Sequence, residues 1–137
     1  MPAPEDPSIT QLQSEAVTIK RLYDELNLEQ RARTWTNEEF MLGFVGDVGD
    51  LAKLVMAQEG AREVPGGRDR LAHELADCLW SVLVLANVYE IDITRDFQQT
   101  MRQLTTQIQS ALSRRRRRPA RSVERVSCRM GTRRRPD

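Results

Sequence analysis

Leu79-Trp80-Ser81-Val82-Leu83-Val84-Leu85-Ala86-Asn87-Val88 is the most apolar run in the chain, and it sits on a helical repeat. Leu71, Leu75, Leu79, Val82, Ala86 and Tyr89 recur every three or four residues, which predicts a helix over roughly 68–90. Leu83, Val84, Leu85 and Val88 then fill its other sides, so its second half is apolar nearly all round. Such a helix must be buried, either centrally or against another subunit. The run itself is about ten residues long and is broken by Ser81 and Asn87, too short to span a bilayer. The fold therefore has to supply neighbours for this helix.

Those neighbours are helices as well. No segment shows sustained period-two alternation with turn punctuation, so no sheet is expected. Pro7-Ser8 precedes Leu12, Ala16, Ile19, Leu22 and Leu26, a first helix of roughly 9–32. Thr36, with Glu39 three residues on, forms a capping box that opens a second helix, roughly 37–59, with Phe40, Phe44, Val48, Leu51 and Val55 on one face. Gly60 and Pro65-Gly66-Gly67 mark the loop after it. Asp92 or Thr94 can cap a fourth helix, roughly 94–113, with Phe97, Met101, Leu104, Ile108 and Leu112. The expectation is an all-α, antiparallel four-helix bundle. Hydrophobic residues are 39% of the 137 and aromatics 5%, a modest core for one protomer, so two protomers are expected to share a larger bundle as a homodimer.

Chemistry concentrates in four carboxylates. Asp47 and Asp50, then Glu74 and Asp77, are each spaced i, i+3 in mid-helix, which sets both members of a pair on one side of their helix. On a helical wheel each pair stands at the edge of an apolar stripe, near the core and near solvent. Packed side by side, two such helices crowd like charges that a divalent cation would neutralise. Hard cations such as magnesium or manganese favour oxygen ligands of this kind. The bland alternative is acidic residues decorating two solvated faces.

Gly46-Asp47-Val48-Gly49-Asp50-Leu51-Ala52, followed by Glu74-Leu75-Ala76-Asp77, resembles the MazG-like family of all-α nucleoside triphosphate pyrophosphohydrolases. The similarity covers roughly residues 35–105, and Leu28 to Val88 looks closest to the dUTP-preferring MazG-like enzymes of deinococci. The family pattern is an E-x-x-E helix, a gap, then an E-x-x-D helix. Here the first half reads D-x-x-D, and each aspartate is one methylene shorter than glutamate. The resemblance implies that Asp47, Asp50, Glu74 and Asp77 hold magnesium or manganese, with Asp47 or Asp50 as general base. It implies a nucleoside triphosphate as substrate, and a nucleoside monophosphate and pyrophosphate as products. A poorer resemblance points to hydrolysis of phosphoribosyl-ATP.

Other residues carry two readings each. Lys53 can reach a substrate phosphate or pair with Asp50. Trp35 can stack on a base or staple the entrance of the second helix. Trp80 can line a pocket wall or pack in the core. Asn87 can read a base edge or the deoxyribose hydroxyl, or make a core polar contact. Arg68 and Arg70, in the loop leading to the third helix, can clamp a phosphate tail or remain solvated. His73 is the single histidine, which excludes a di-iron site of the Glu-x-x-His type, and it is expected to point outward. Cys78 is expected to be inert core. The glycine loop lacks the Gly-x-x-x-x-Gly-Lys pattern of a P-loop.

The net charge of +1 conceals two unlike parts. Residues 114–137 hold eleven arginines against Glu124 and Asp137, leaving +9, while the remaining 113 residues carry −8. Residues 1–113 are expected to form the helical domain and 114–137 a disordered, arginine-rich tail. A second functional class follows: a catalytically silent helical dimer that binds nucleic acid through that tail. Two cysteines, Cys78 and Cys128, suit a reducing compartment, and no secretion signal opens the chain, so a cytoplasmic setting is expected.

Overall fold

The computed structural model describes residues 6–117 and contains four helices in the order α1 (Ile9–Arg31), α2 (Asn37–Gln58), α3 (Gly67–Val88) and α4 (Ile93–Arg117). There is no strand among the described residues, and the all-α reading holds. Boundaries fall within two residues of expectation except at the end of α4, which runs four residues further. Arginine is a good helix former, and the positive Arg114–Arg117 sits where the helix dipole favours cations. The arginine tail beyond, residues 118–137, lies outside the described residues.

Local signals explain the starts. Thr36 Oγ1 accepts from Glu39 N at 3.2 Å while Thr36 N donates to Glu39 Oε2 at 3.0 Å, completing the expected capping box. Ser8 and Gln11 form a second such box at the start of α1, just after Pro7. Asp92 Oδ1 accepts from Arg95 N at 3.0 Å and caps α4. Gly66 precedes α3 in the left-handed region at φ 68°, where glycine is free of Cβ strain.

Within residues 1–100, α3 lies against both α1 and α2. The buried core joins Ala16 of α1, Phe40 of α2 and Leu83 and Val84 of α3, with Leu12, Trp80, Leu85 and Ile93 packed around them. Two side chains tie α1 to α3 by backbone carbonyls: Trp80 Nε1 donates to Ala16 O at 3.0 Å, and Gln13 Nε2 donates to Leu83 O at 3.3 Å. By length and composition α3 would be enough to cross a bilayer, a test that central helices of globular proteins also meet. Its apolar girth is only half used within the chain. Ser81, Leu83, Val84 and Ala86 are buried, whereas Leu75 and Leu79 remain about half exposed. Among the described residues, those from Met101 on form a separate unit, and α4 has no buried residue along its length.

Candidate active site

The loop Ala32–Trp35 carries the chain from α1 into α2, and α2 then presents Asp47 and Asp50 toward α3. Two contacts fix the pairing. Phe40 near the start of α2 meets Trp80 in the second half of α3, and Gln58 at the end of α2 lies against Gly67 at the start of α3, so the two helices run in opposite directions. The Asp47 carboxyl is pushed above its ordinary value by partial burial, then by the charges of Asp77 and Asp50. The Cys78 thiol is pushed up by burial and by Asp47, Glu74 and Asp77 together, which places three of the four carboxylates around it. Cys78 is thus half-buried beside the acidic edge rather than deep in the core, and it stays protonated and inert.

Two of the carboxylates have nitrogen-bearing neighbours of their own. Asp50 Oδ1 accepts from Lys53 Nζ at 2.6 Å, which, with the lysine charge, lowers the Asp50 pKa. Asp77 Oδ2 lies 3.3 Å from His73 Nε2. Held this way, the acids form an open ridge, and among the described residues no three His, Cys, Asp or Glu side chains converge as a closed cage. The chemistry of the donors nonetheless fits a hard divalent cation. They are carboxylate oxygens on two rigid helices, and Asp47 is in the electrostatic state that added positive charge would relieve.

Alongside the ridge, α1, α2 and α3 enclose a cavity of about 690 Å³. Its walls are aromatic: Tyr23, Trp35, Phe40, Phe44 and Trp80. The Tyr23 and Trp80 ring centroids are 5.8 Å apart, and Phe40 meets Trp80 edge-on at 5.4 Å. Asp47 and Asp77 also line it, so the cavity opens onto the acidic ridge. Trp35 and Trp80 therefore serve both readings, pocket wall and packing partner. Trp35 rests on the bare backbone of Gly43, where a Cβ would approach its Cζ3 to 3.1 Å.

The sequence reading missed the α1 wall. Lys20, Tyr23, Asp24, Asn27 and Gln30 all face the cavity. Lys20 Nζ pairs with Asp24 at 2.6 Å and stands 5.7 Å from the Phe40 ring centroid. The signal was available: a polar and aromatic row at three- and four-residue spacing, flanking the apolar stripe of the same helix.

Three expected contacts take a different form. Arg68 and Arg70 lie in the first turn of α3 rather than in the loop, because α3 starts at Gly67. Arg70 acts on Asp50, and Arg68 is exposed without a resolved partner among the described residues. Asn87 is exposed at the end of α3, ten residues and about 15 Å along the helix from Asp77, and it does not line the cavity. It needs no core partner there, since water reaches it.

Helices alone, with acidic i, i+3 pairs level across two of them and an aromatic hollow alongside, define an acid-edged all-α domain. Residues 36–110 match the MazG nucleotide pyrophosphohydrolase domain, and the chain belongs to that family, whose enzymes generally depend on a divalent metal. No curated protein and no solved structure matches the chain. The family match begins at residue 36, so α1 and its share of the cavity lie before it.

Proposed function

We propose that the protein hydrolyses a nucleoside triphosphate, with dUTP among its substrates, to the monophosphate and pyrophosphate, as a cytoplasmic homodimer that cleans the nucleotide pool. The observation that carries this reading is the continuity of the aromatic cavity with Asp47 and Asp77. A base stacks among Tyr23, Trp35 and Trp80, and its triphosphate then extends along the acidic ridge. Asp47, Asp50, Glu74 and Asp77 would hold magnesium or manganese there, and the ion would screen phosphate charge and make water more acidic. Lys53 leaves Asp50 and turns to a phosphate oxygen, and Arg70 stands near the same end of the ridge. Asp47 is the better placed of the two candidate bases, because it lines the cavity from which the triphosphate extends and Asp50 does not. It takes the proton of a water whose oxygen adds to phosphorus. The bridge between the first and second phosphates breaks, and pyrophosphate leaves.

A panel of canonical and damaged triphosphates, assayed for pyrophosphate with manganese present, tests this. Turnover should require the divalent ion and fall at least a hundredfold in Asp50→Asn and in Glu74→Gln, a loss of about 2.7 kcal/mol or more. No pyrophosphate from any triphosphate would sink the reading. Homodimer formation is supported by the half-exposed Leu75 and Leu79 of α3.

A further inference from the structure

We infer that α4 is a pairing helix that meets α4 of a second copy side by side and in the opposite direction. The inference presupposes the self-association proposed above and names the surface that performs it. Phe97, Met101, Leu104, Ile108 and Ala111 follow a strict four-three-four-three spacing along one continuous helix. A stripe that narrow is the seam of a two-stranded coiled coil rather than the broad face of a helix lying on a core. The four large residues are each 40 to 57% exposed, and Leu112 beside them is 51% exposed.

Charge chooses both the occupant and its direction. Arg114–Arg117 give one end of α4 four positive charges, whereas its other end begins with Glu90, Asp92 and Asp96, set against Arg95. Parallel copies would set eight arginines together. Antiparallel copies bring each arginine end beside the acidic start of the other helix and oppose the two helix dipoles. The positions flanking the seam between Phe97 and Ile108, namely Gln98, Thr100, Thr105 and Gln107, are uncharged, so the ends decide. In the register that uses the whole seam, Leu104 packs against the partner's Ile108 and Met101 against the partner's Ala111. The Arg115 stem then crosses the partner's Phe97 ring.

Light scattering on the full chain over a dilution series should give a dimer. Leu104→Asp should shift it to monomer, while Thr106→Asp, on the outer side of the same helix, should leave it dimeric. Nitroxide labels attached through Thr106→Cys and, separately, Ser113→Cys, in a Cys78→Ser, Cys128→Ser background, read the direction. Antiparallel helices separate the Ser113 labels by about 21 Å along the axis and the Thr106 labels by almost none, so the Ser113 distance is the longer. Equal distances at the two sites mean a parallel pair and overturn the inference. A dimer indifferent to Leu104→Asp overturns it while leaving self-association intact. A monomer at every concentration, including one that binds anionic vesicles through α4, overturns both. Pyrophosphate release is a separate readout and bears on neither.

Discussion

At neutral pH the Asp47 carboxylate is charged in a place that disfavours charge, with Asp77 and Asp50 near it. Its raised folded pKa sets the sign of its contribution. Stability is full below the ordinary Asp range and is lost as pH rises through the folded value. Asp47→Asn should therefore raise the Tm of the metal-free protein by about 2–4 °C while abolishing turnover. Manganese should raise the Tm of the natural chain, by the equivalent of about 2.7 kcal/mol at a hundredfold excess over Kd, and should stabilise the variant far less. Scanning calorimetry with and without the ion checks both statements. Glu39 has the opposite sign. The Arg33 guanidinium at 2.8 Å and the Thr36 amide hold its pKa at about 2. The stability it contributes is present above the ordinary value of 4.5 and is lost as pH falls toward about 2. Acid titration followed by circular dichroism should show a flatter profile over that window in Glu39→Gln.

At the scale of elements, the caps were the most legible part of the sequence. Thr36 and Glu39 name the start of α2 because only that spacing satisfies two orphan backbone donors reciprocally. Thr36→Ala should cost about 1 kcal/mol in urea denaturation, with m unchanged. The acidic pairs were legible for a similar reason, since a three-residue interval has one meaning on a helix. Which way α1 turns its polar row was not legible. That depends on how α1 lies against α3, and this is settled by Trp80 reaching the Ala16 carbonyl and Gln13 reaching that of Leu83, contacts 64 and 70 residues apart in sequence. Trp80→Phe keeps an aromatic ring but removes the donor that ties α3 to that carbonyl, and it should cost about 1 kcal/mol, read in the same denaturation. Arg68 and Arg70 were read as loop residues and lie in the first turn of α3, because Gly66 and Gly67 look alike in sequence and only the first leaves the helix.

For the whole molecule, the all-α class and the count of helices could be read from periodicity and capping alone. The distribution of burial could not. The apolar girth of α3 predicted a helix covered on all sides, yet Leu75, Leu79 and Val82 are exposed, and α2 similarly exposes Val45, Val48 and Val55. Large apolar residues exposed in such number are what a second copy would cover. Tm should consequently rise with protein concentration, as mass action requires when assembly and folding are linked, and a Tm independent of concentration would argue against it. The division of charge works at the same scale: an acidic body repels a free triphosphate until cations gather on it, so turnover should depend steeply on divalent concentration.

The contact between Trp35 and the unadorned backbone of Gly43 leaves the width of the hollow hanging on a single absent methyl. A methyl there would lift the indole by a few tenths of an ångström and tip one lip of the chamber. Descendants of this chain could thus retune which heterocycle is admitted by editing one codon, without disturbing the machinery that breaks the anhydride.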